Sequence, residues 1–497
     1  MRRIEACGWC LGGLPLFAWV MTQLVKKLSP QLLGHLPAFL LPLLSSLLYL
    51  PALNHGFILD DRWLVTENPY IKSWGYLPQM LSEDAWNIWD RHNYWRPAFT
   101  LSLALDYSLW GLDAAGFHLH NVLLHAANTG LLYSLGNRLL SQRAAGVAAL
   151  LFALHPIQAQ PVSVISMRGD LLAACFALLA LHAFFARKTV FFAIALLFAL
   201  LSKETSMVLP AALLFAWILL PRDHQGTGIV LAFVILGIYL AIRLSLGFSF
   251  SLPPSIFSYD APWEIRWLLA FKVLALYFLA LLNPFEIPHP LWSVELPASL
   301  SDPYVLGGMA VSALLILTTW AASKKRPAAA FVFIWFAVYF LPISNLKQLN
   351  QPMAALVARE KTKIYKDDET FVLAAVRANP RIAKLHSMLG SIYLTRQDIP
   401  RAKEFYGKAL SIDPNDFLAN YRTGFLLYRA GQREEAKVYL EKVVRSEPRP
   451  LYEILIVADA WEMLGDKQRA LFYYRKAFGL NPWSAYIRER VAALENR

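Results

Sequence analysis

Charge is what this chain has least of. Only 16% of its 497 residues are Asp, Glu, Lys or Arg, against 57% hydrophobic, and its mean hydropathy is +0.40. Soluble proteins of this length rarely show that balance. Continuous uncharged runs recur to about residue 342, so the chain reads as a polytopic membrane protein. The runs lack the alternation of a closed barrel and are rich in Leu and Ala, which favours helices. Cysteine is scarce too, with three in all. Cys7 and Cys10 form C-G-W-C in an apolar run with no second pair, and Cys175 lies inside a membrane run, so no disulfide framework is implied. The tail has no basic run interleaved with aromatics, which argues against a nucleic-acid partner. The net charge of +12 fits Lys and Arg placed at cytoplasmic helix ends. Residues 1–25 carry Arg2, Arg3 and a short apolar stretch but no small-residue cleavage site before Lys26 and Lys27. Segment 1–31 therefore reads as an uncleaved cytoplasmic or interfacial segment.

The apolar runs place spans near 32–53, 117–137, 145–160, 170–186, 189–202, 205–220, 228–246, 264–282, 303–322 and 328–343. The four N-terminal cations put the start of the first span in the cytoplasm. The loop 54–97 then emerges outside, holding Trp63, Trp74, Trp86, Trp89 and Trp95 at headgroup level. Arg138, Arg143, Arg187, Lys188, Arg222 and the Lys324-Lys325-Arg326 cluster mark inner ends. These agree only if one late span, 264–282 being the candidate, fails to cross fully. The last span then exits outward and carries the tail to the non-cytoplasmic side.

Polar residues inside or beside membrane spans are unfavourable and so carry information. "FILDDRWLVT" sets Asp60 and Asp61 where the first helix leaves the bilayer, "NYWRPAFT" holds Arg96, "LHPIQAQPVSVISMRGDLLA" holds His155, Arg168 and Asp170, and "LLSKETSMVLP" holds Lys203 and Glu204. Each has a plain structural alternative. The paired aspartates can cap the next turn, Lys203-Glu204 can be an interfacial hairpin, and Arg168 with Asp170 can be a local pair. His118, His120 and His125 read as packed or hydrogen-bonded residues rather than metal ligands.

Beyond about residue 358 charge rises and a period of 34 appears, in frames 383–416, 417–450 and 451–484. Position 8 is Gly390, Gly424 and Ala458, and position 20 is Ala402, Ala436 and Ala470. Position 27 is Ala409, Val443 and Ala477, and position 32 is Pro414, Pro448 and Pro482. Small residues let paired helices approach, Tyr393, Leu427 and Trp461 fill the groove, and the prolines end each second helix. Thr423 departs from an apolar position. The pattern resembles tetratricopeptide repeats, preceded by a linker and lead-in helix over 346–382 and closed by a capping helix, "AYIRERVAALENR". That resemblance implies a concave face that takes a protein or peptide.

The ordered set "GFILDDRWLVTENP", "YWRPAFTLSLALDYSLWGLDAAGFHLHNVLLHAAN", "LFALHPIQAQPVSVISMRGDLLA", "LLFALLSKETSMVLP" and "FLPISNLKQLN", followed by repeats, resembles the TMTC-type proteins. These are transmembrane O-mannosyltransferases carrying tetratricopeptide repeats, with bacterial relatives, among the GT-C glycosyltransferases. The resemblance implies an all-α chain: a GT-C-like transmembrane domain over 32–345, then a repeat solenoid over 383–497. It implies a lipid-linked sugar, of dolichyl or polyprenyl phosphate type, as donor, transfer at the outer membrane face, and the acidic pair Asp60-Asp61 at the reaction centre. A carboxylate there assists an acceptor hydroxyl as general base. Arg96, Arg168 and Lys203 are candidates to receive the phosphate, with His155, Asp170 and Glu204 lining the site. Metal dependence is left open: the two carboxylates can hold a divalent cation, but nothing in the sequence fixes a ligand set.

The chain departs from the family pattern at Gln160, where a Glu is usual, and after "SNLKQLNQPMA", where further membrane helices are usual. Three functions compete on these grounds. They are a lipid-linked-sugar glycosyltransferase whose repeats recruit the acceptor, a non-catalytic membrane anchor presenting repeats to envelope partners, and a flippase, ligase or polymerase of lipid-linked glycans.

Overall fold

The computed structural model describes residues 30–58, 60–85, 94–219, 226–248, 263–282, 299–325, 327–340, 366–378, 380–446, 451–480 and 485–495. The segment 1–29 with its two cysteines, Trp86 and Trp89, Arg222, Arg326, Pro448, Pro482 and the stretch 341–365 lie outside those residues.

Every long described element is helical. The body begins with α1 (Pro30–Tyr49), prolonged by a 3-10 turn over Leu50–Asn54. The outer loop follows, with a π-turn at Arg62–Thr66 and the short α2 (Leu77–Ser82). Then come α3 (Pro97–Trp110), α4 (Ala114–Leu139), α5 (Gln142–Leu154), α6 (Ala159–Ser163), α7 (Arg168–Phe185), α8 (Thr189–Ser202), α9 (Leu209–Leu219), α10 (Gly226–Ser245), α11 (Trp263–Leu282), α12 (Pro303–Lys325) and α13 (Pro327–Phe340). The starts are written in the sequence. Asp113 accepts from the Ala115 N–H at 3.0 Å and Ser141 from the Ala144 N–H at 3.3 Å, giving α4 and α5 their N-caps.

Four described helices are long and apolar enough to cross a bilayer: Leu36–Asn54, Ile165–Phe185, Gly226–Ser245 and Pro303–Lys324. The chain is thus a multi-pass membrane protein, with fewer full-length spans than the ten expected. The differences have local causes. The run 145–160 is not one helix, because it bends by 48° between Gln142–Leu154 and Pro156–Ser163, where Pro156 cannot donate to the preceding turn. The runs near 189–202 and 205–220 form apolar helices shorter than a bilayer, joined by a 3-10 turn at Glu204–Val208. α4 is 26 residues long but buries His118, Asn121, His125, Asn128 and Thr129 against its neighbours.

The tail comprises the lead-in helix α14 (Asp368–Ala378), three helix pairs, and the cap α21 (Ala485–Glu495). The pairs are α15 (Ala383–Thr395) with α16 (Ile399–Ile412), α17 (Phe417–Arg429) with α18 (Arg433–Val444), and α19 (Leu451–Met463) with α20 (Lys467–Leu480). Each pair falls within one 34-residue frame. The small positions are the contact points: a Cβ on Gly390 would meet the Tyr406 ring at 2.5 Å, and one on Gly424 would meet Leu440 at 2.8 Å. Ala402, Ala436 and Ala470 are fully buried, and so are Ala409 and Ala477. Tyr406, Leu440 and Tyr474, at position 24 of each frame, fill the space opposite. Gln397, Gly431 and Gly465, at position 15, turn the chain with φ of 62°, 81° and 87°. Thr423 stays half-buried where Leu389 and Val457 are buried.

Tail and body meet at the outer loop. The Gly56 N–H donates to the Lys366 carbonyl at 3.3 Å, and Phe371 and Val372 of α14 join the apolar cluster of Tyr49, Ile58, Val162 and Val164. Burying an aromatic of that size contributes about 2 kcal/mol. The repeats are thus seated beside the acidic loop.

Candidate active site

The acidic pair separates into two unlike groups. Asp61 heads the π-turn and is fully buried. Its carboxylate accepts from the backbone N–H groups of Ile58 at 3.2 Å, Ile165 at 3.4 Å and Ser166 at 2.6 Å. Burial pushes it up to about 6, against the pull of those three donors. An acid so enclosed ties the outer loop to the segment before α7, which makes it a structural anchor rather than a group that meets substrate. Asp60 is only half-buried. Burial, then the charges of Asp61 and Asp368, push it up to about 7. A carboxylate at that value exchanges a proton near neutral pH.

Arg96 precedes α3 and grips Glu204 with Nε at 2.9 Å and Nη2 at 2.8 Å, its guanidinium lying 4.5 Å from the Tyr94 ring centre. Arg243, from within α10, reaches the same carboxylate at 3.7 Å. On the other side of the α8–α9 break, Lys203 Nζ sits 2.6 Å from both Asp170 oxygens. Lys203 and Glu204 are adjacent, so the broken helix turns two neighbours toward two opposite partners. Tyr94 lies in the field of Arg96, Glu204, Asp84 and Asp60, and Arg96 in that of Asp170. Arg96, Glu204 and Arg243 thus form one ion cluster and Lys203 with Asp170 a second, joined through the adjacent residues 203 and 204. The side chain of Asp170 is 42% exposed and that of Lys203 12%, so the second cluster has an open edge.

Two expected site residues lie elsewhere. Arg168 is 0% exposed and spends its guanidinium on Asp106 at 2.5 Å, Asn121 at 2.7 Å and the carbonyls of Phe117 at 2.8 Å and Ser102 at 3.3 Å. Asp106 also holds His120 at 2.7 Å. Fully buried and held by these contacts, Arg168 is closed off from a donor phosphate and instead pins α3, α4 and α7 together. His155 accepts from the Ile157 N–H at 3.1 Å and meets the Leu281 carbonyl at 3.2 Å, the geometry of a turn cap. Gln160 is buried with its side-chain oxygen unpaired. Of the histidines, His118 and His125 are packed inside, the first against His55 with ring centres 5.8 Å apart. Among the described residues no three His, Cys, Asp or Glu gather as a metal site.

Sequence reasoning missed Arg243, Asp106 and Tyr94. For the first two a signal existed: each is a lone charge in an otherwise apolar helix.

Comparison with known proteins finds one matching family and a set of partial relatives. The tetratricopeptide repeat family matches residues 393–456. Protein O-mannosyl-transferase Tmtc1 of Drosophila melanogaster is 36% identical over 137 residues, 27% of this chain and 16% of that protein. Protein O-mannosyl-transferase tmtc2 of Xenopus laevis is 37% identical over 152 residues, 28% of this chain and 17% of its own length. Human protein O-mannosyl-transferase TMTC2 is 36% identical over 139 residues, 27% and 17% respectively. The matched region spans less than a fifth of each of these three relatives.

Proposed function

On the premise that the chain is a TMTC-like multi-pass protein with a repeat tail, we propose that it moves a sugar from a lipid-phosphate donor to a hydroxyl of a protein or glycan acceptor. The transfer takes place on the non-cytoplasmic face. The relatives' names make mannose the first sugar to try. The observations behind this reading are the half-buried Asp60 in the outer loop, whose carboxyl is pushed up by burial and by Asp61, and the two cations Arg96 and Lys203 fixed at 2.8 Å and 2.6 Å on Glu204 and Asp170.

In this mechanism the acceptor oxygen attacks the anomeric carbon while its proton passes to the Asp60 carboxylate. The bond from that carbon to the phosphate oxygen breaks, the lipid phosphate leaves with the electron pair, and the anomeric centre inverts. The departing charge needs a cation that is fixed beforehand. Lys203, at the open edge, is the closest match, and displacement of Asp170 by the phosphate exposes it fully. Arg96, held by Glu204, with Arg243 behind, gives the edge a net positive field. Asp61 takes the role of anchor for the loop that presents Asp60.

Purified protein incubated with radiolabelled polyprenyl-phosphate sugars tests this. Transfer of label to protein or water-soluble acceptor is expected, and its loss in Asp60→Asn with unchanged folding. Equal transfer by that variant would overturn the assignment. A second reading, a membrane-anchored scaffold without catalysis, draws on Gln160 and on Asp368 lying close to Asp60. It requires that no donor in the panel be consumed while the repeats still bind their partner.

A further inference from the structure

The last helix pair carries a feature that the sugar-transfer reading does not use. We propose that the outer face of α20 docks on the bilayer surface, its cations on anionic lipid phosphates and the Phe472 ring among the headgroups.

Successive first helices of the repeats, α15, α17 and α19, pack against one another more closely than the second helices do, so α16, α18 and α20 form the outside of the curve. In α20, Ala470, Tyr474 and Ala477 are fully buried and mark the face turned inward. At about 100° per residue, Phe472 and Arg475 lie on the opposite half, flanked by Arg469 and Lys476. All four side chains are exposed. Gln468, Leu471, Phe472, Arg475 and Lys476 line a shallow groove there.

Ring and charge together set this face apart. Phe472 is 63% exposed, as open as Leu317 and Trp320, at 62% each, in the apolar span α12. One exposed ring is ordinary on a soluble surface. A ring set among cations, on a helix without acids, is the pattern of a membrane-surface contact. α20 holds Lys467, Arg469, Arg475 and Lys476 and no acid, whereas α16 holds Glu404 and α18 holds Glu434, Glu435 and Glu441. The side chains of Lys467 and Lys476 have no ion-pair partner among the described residues. Arg469 and Arg475 have Asp466 at 3.4 Å and Glu495 at 2.8 Å, but their side chains are 62% and 61% exposed. Pairs so open to water contribute little, and a lipid phosphate can take either cation.

The bilayer is the partner at hand. The chain crosses it, and α14 joins the apolar cluster of the outer loop, so the repeats are tethered beside it and meet it at high effective concentration. The cations of α20 are strung along one convex helix rather than gathered around a pocket. That arrangement suits a field of equivalent phosphates better than a single acidic site on a protein. Docking restrains the far end of a solenoid whose near end the outer loop already holds. It requires no sugar transfer by the body, and it is read by position alone.

The test uses the full-length protein in lipid nanodiscs, with an environment-sensitive fluorophore on Gln468→Cys and with Cys7, Cys10 and Cys175 replaced by Ala. In nanodiscs containing phosphatidylglycerol the label is expected to shift to the blue and to be quenched by doxyl-labelled lipid. In phosphatidylcholine alone both signals fall. Lys476→Gln or Arg475→Gln lowers the ratio of docked to undocked tail about fivefold. Salt at 1 M, where the screening length is about 3 Å, removes the charge-dependent part for every variant. Phe472→Ser weakens docking but keeps its salt dependence. Lys476→Arg keeps the charge and retains docking, and an unchanged melting temperature shows that each variant is folded. A label that stays water-like over phosphatidylglycerol overturns the proposal and leaves the face to a protein partner. Equal quenching in both lipids, unmoved by the Gln variants, overturns it as well.

Discussion

The membrane body and the repeat tail bury comparable side chains in opposite ways. In the body the decisive contacts join residues far apart in the chain. Arg96 meets Glu204 across 108 positions, Lys203 meets Asp170 across 33, and Arg168 meets Asp106 in full burial. In the tail the decisive contacts are between apolar neighbours within one 34-residue frame, and several ion pairs are exposed i,i+3 or i,i+4 contacts. The tail is held by shape repeated three times, the body by charges matched singly. Removing a charge should therefore damage the body far more than the tail, and adding a methyl group should damage the tail.

The largest effect is expected at Arg168. Arg168→Leu leaves Asp106 buried beside a single partial partner, His120, and removing one member of a buried pair costs about 3–5 kcal/mol. Thermal unfolding of the detergent-solubilised protein measures it. The double variant Arg168→Leu, Asp106→Leu should recover much of the loss, because no uncompensated charge remains. Arg475→Leu, at an exposed tail pair, should shift stability by less than about 1 kcal/mol. A large loss there would erase the contrast.

The converse change is Gly390→Ala. Its new Cβ enters the Tyr406 ring, which is fully buried and hydrogen-bonded to Ser391 at 3.1 Å. Overpacking of this kind costs about 1–3 kcal/mol, read as faster proteolysis of the tail. Gly407→Ala in the partner helix meets nothing within 4 Å and should instead stabilise by about 1 kcal/mol through helix propensity.

These two regions also differ in how far the sequence discloses them. The period of 34 fixed the helix pairs, the small positions and the frame boundaries, because each contact recurs at a constant separation. Position 24 escaped notice because Tyr406, Leu440 and Tyr474 differ in type, although all three fill the same space. In the body, the sequence marked Asp60, Arg96, Asp170, Lys203 and Glu204 as charges in apolar surroundings, and the structure pairs Arg96 with Glu204 and Lys203 with Asp170. It did not say which charge pairs with which, since each local pair, such as Lys203-Glu204, is compatible with a plain turn. Arg168 and Asp61 carry the same sequence signal as their neighbours but lie in the interior. Only three-dimensional packing tells a charge that anchors from one that faces out.

A smaller effect joins the two regions. Asp60 sits at about 7 in the folded protein against an ordinary 3.8, with the tail's Asp368 among the causes. Between pH 4 and 7 the unfolded chain gives up a proton that the folded one keeps, so this group's contribution to stability falls as pH rises and is most adverse above about 7. Asp60→Asn should therefore raise the melting temperature at pH 8, by the equivalent of about 1 kcal/mol after allowance for solvent screening, and leave it unchanged near pH 4. Asp368→Asn, in the tail, should lower the pH midpoint of sugar transfer while leaving Asp60 in place. An unmoved midpoint would mean that the lead-in helix does not act on the acidic loop.

The smallest effect isolates the tail from its own repeats. Gln397 occupies the left-handed turn that Gly431 and Gly465 occupy in the next two frames, with φ of 62° against 81° and 87°. A side chain there has its Cβ close to the following carbonyl, at about 1 kcal/mol, yet Gln also restricts the unfolded chain more than Gly does, which returns roughly half of that. Gln397→Gly should therefore stabilise the first repeat by about 0.5 kcal/mol, visible as slower amide exchange in Ala383–Ile412 and nowhere in the body. A gain that spreads into the body would show that the first repeat and the acidic loop unfold as one unit, which their shared cluster of Ile58, Phe371 and Leu389 makes physically reasonable. A gain confined to the repeat would leave the tail as a separately melting solenoid resting on a membrane body whose stability is set by its buried ions.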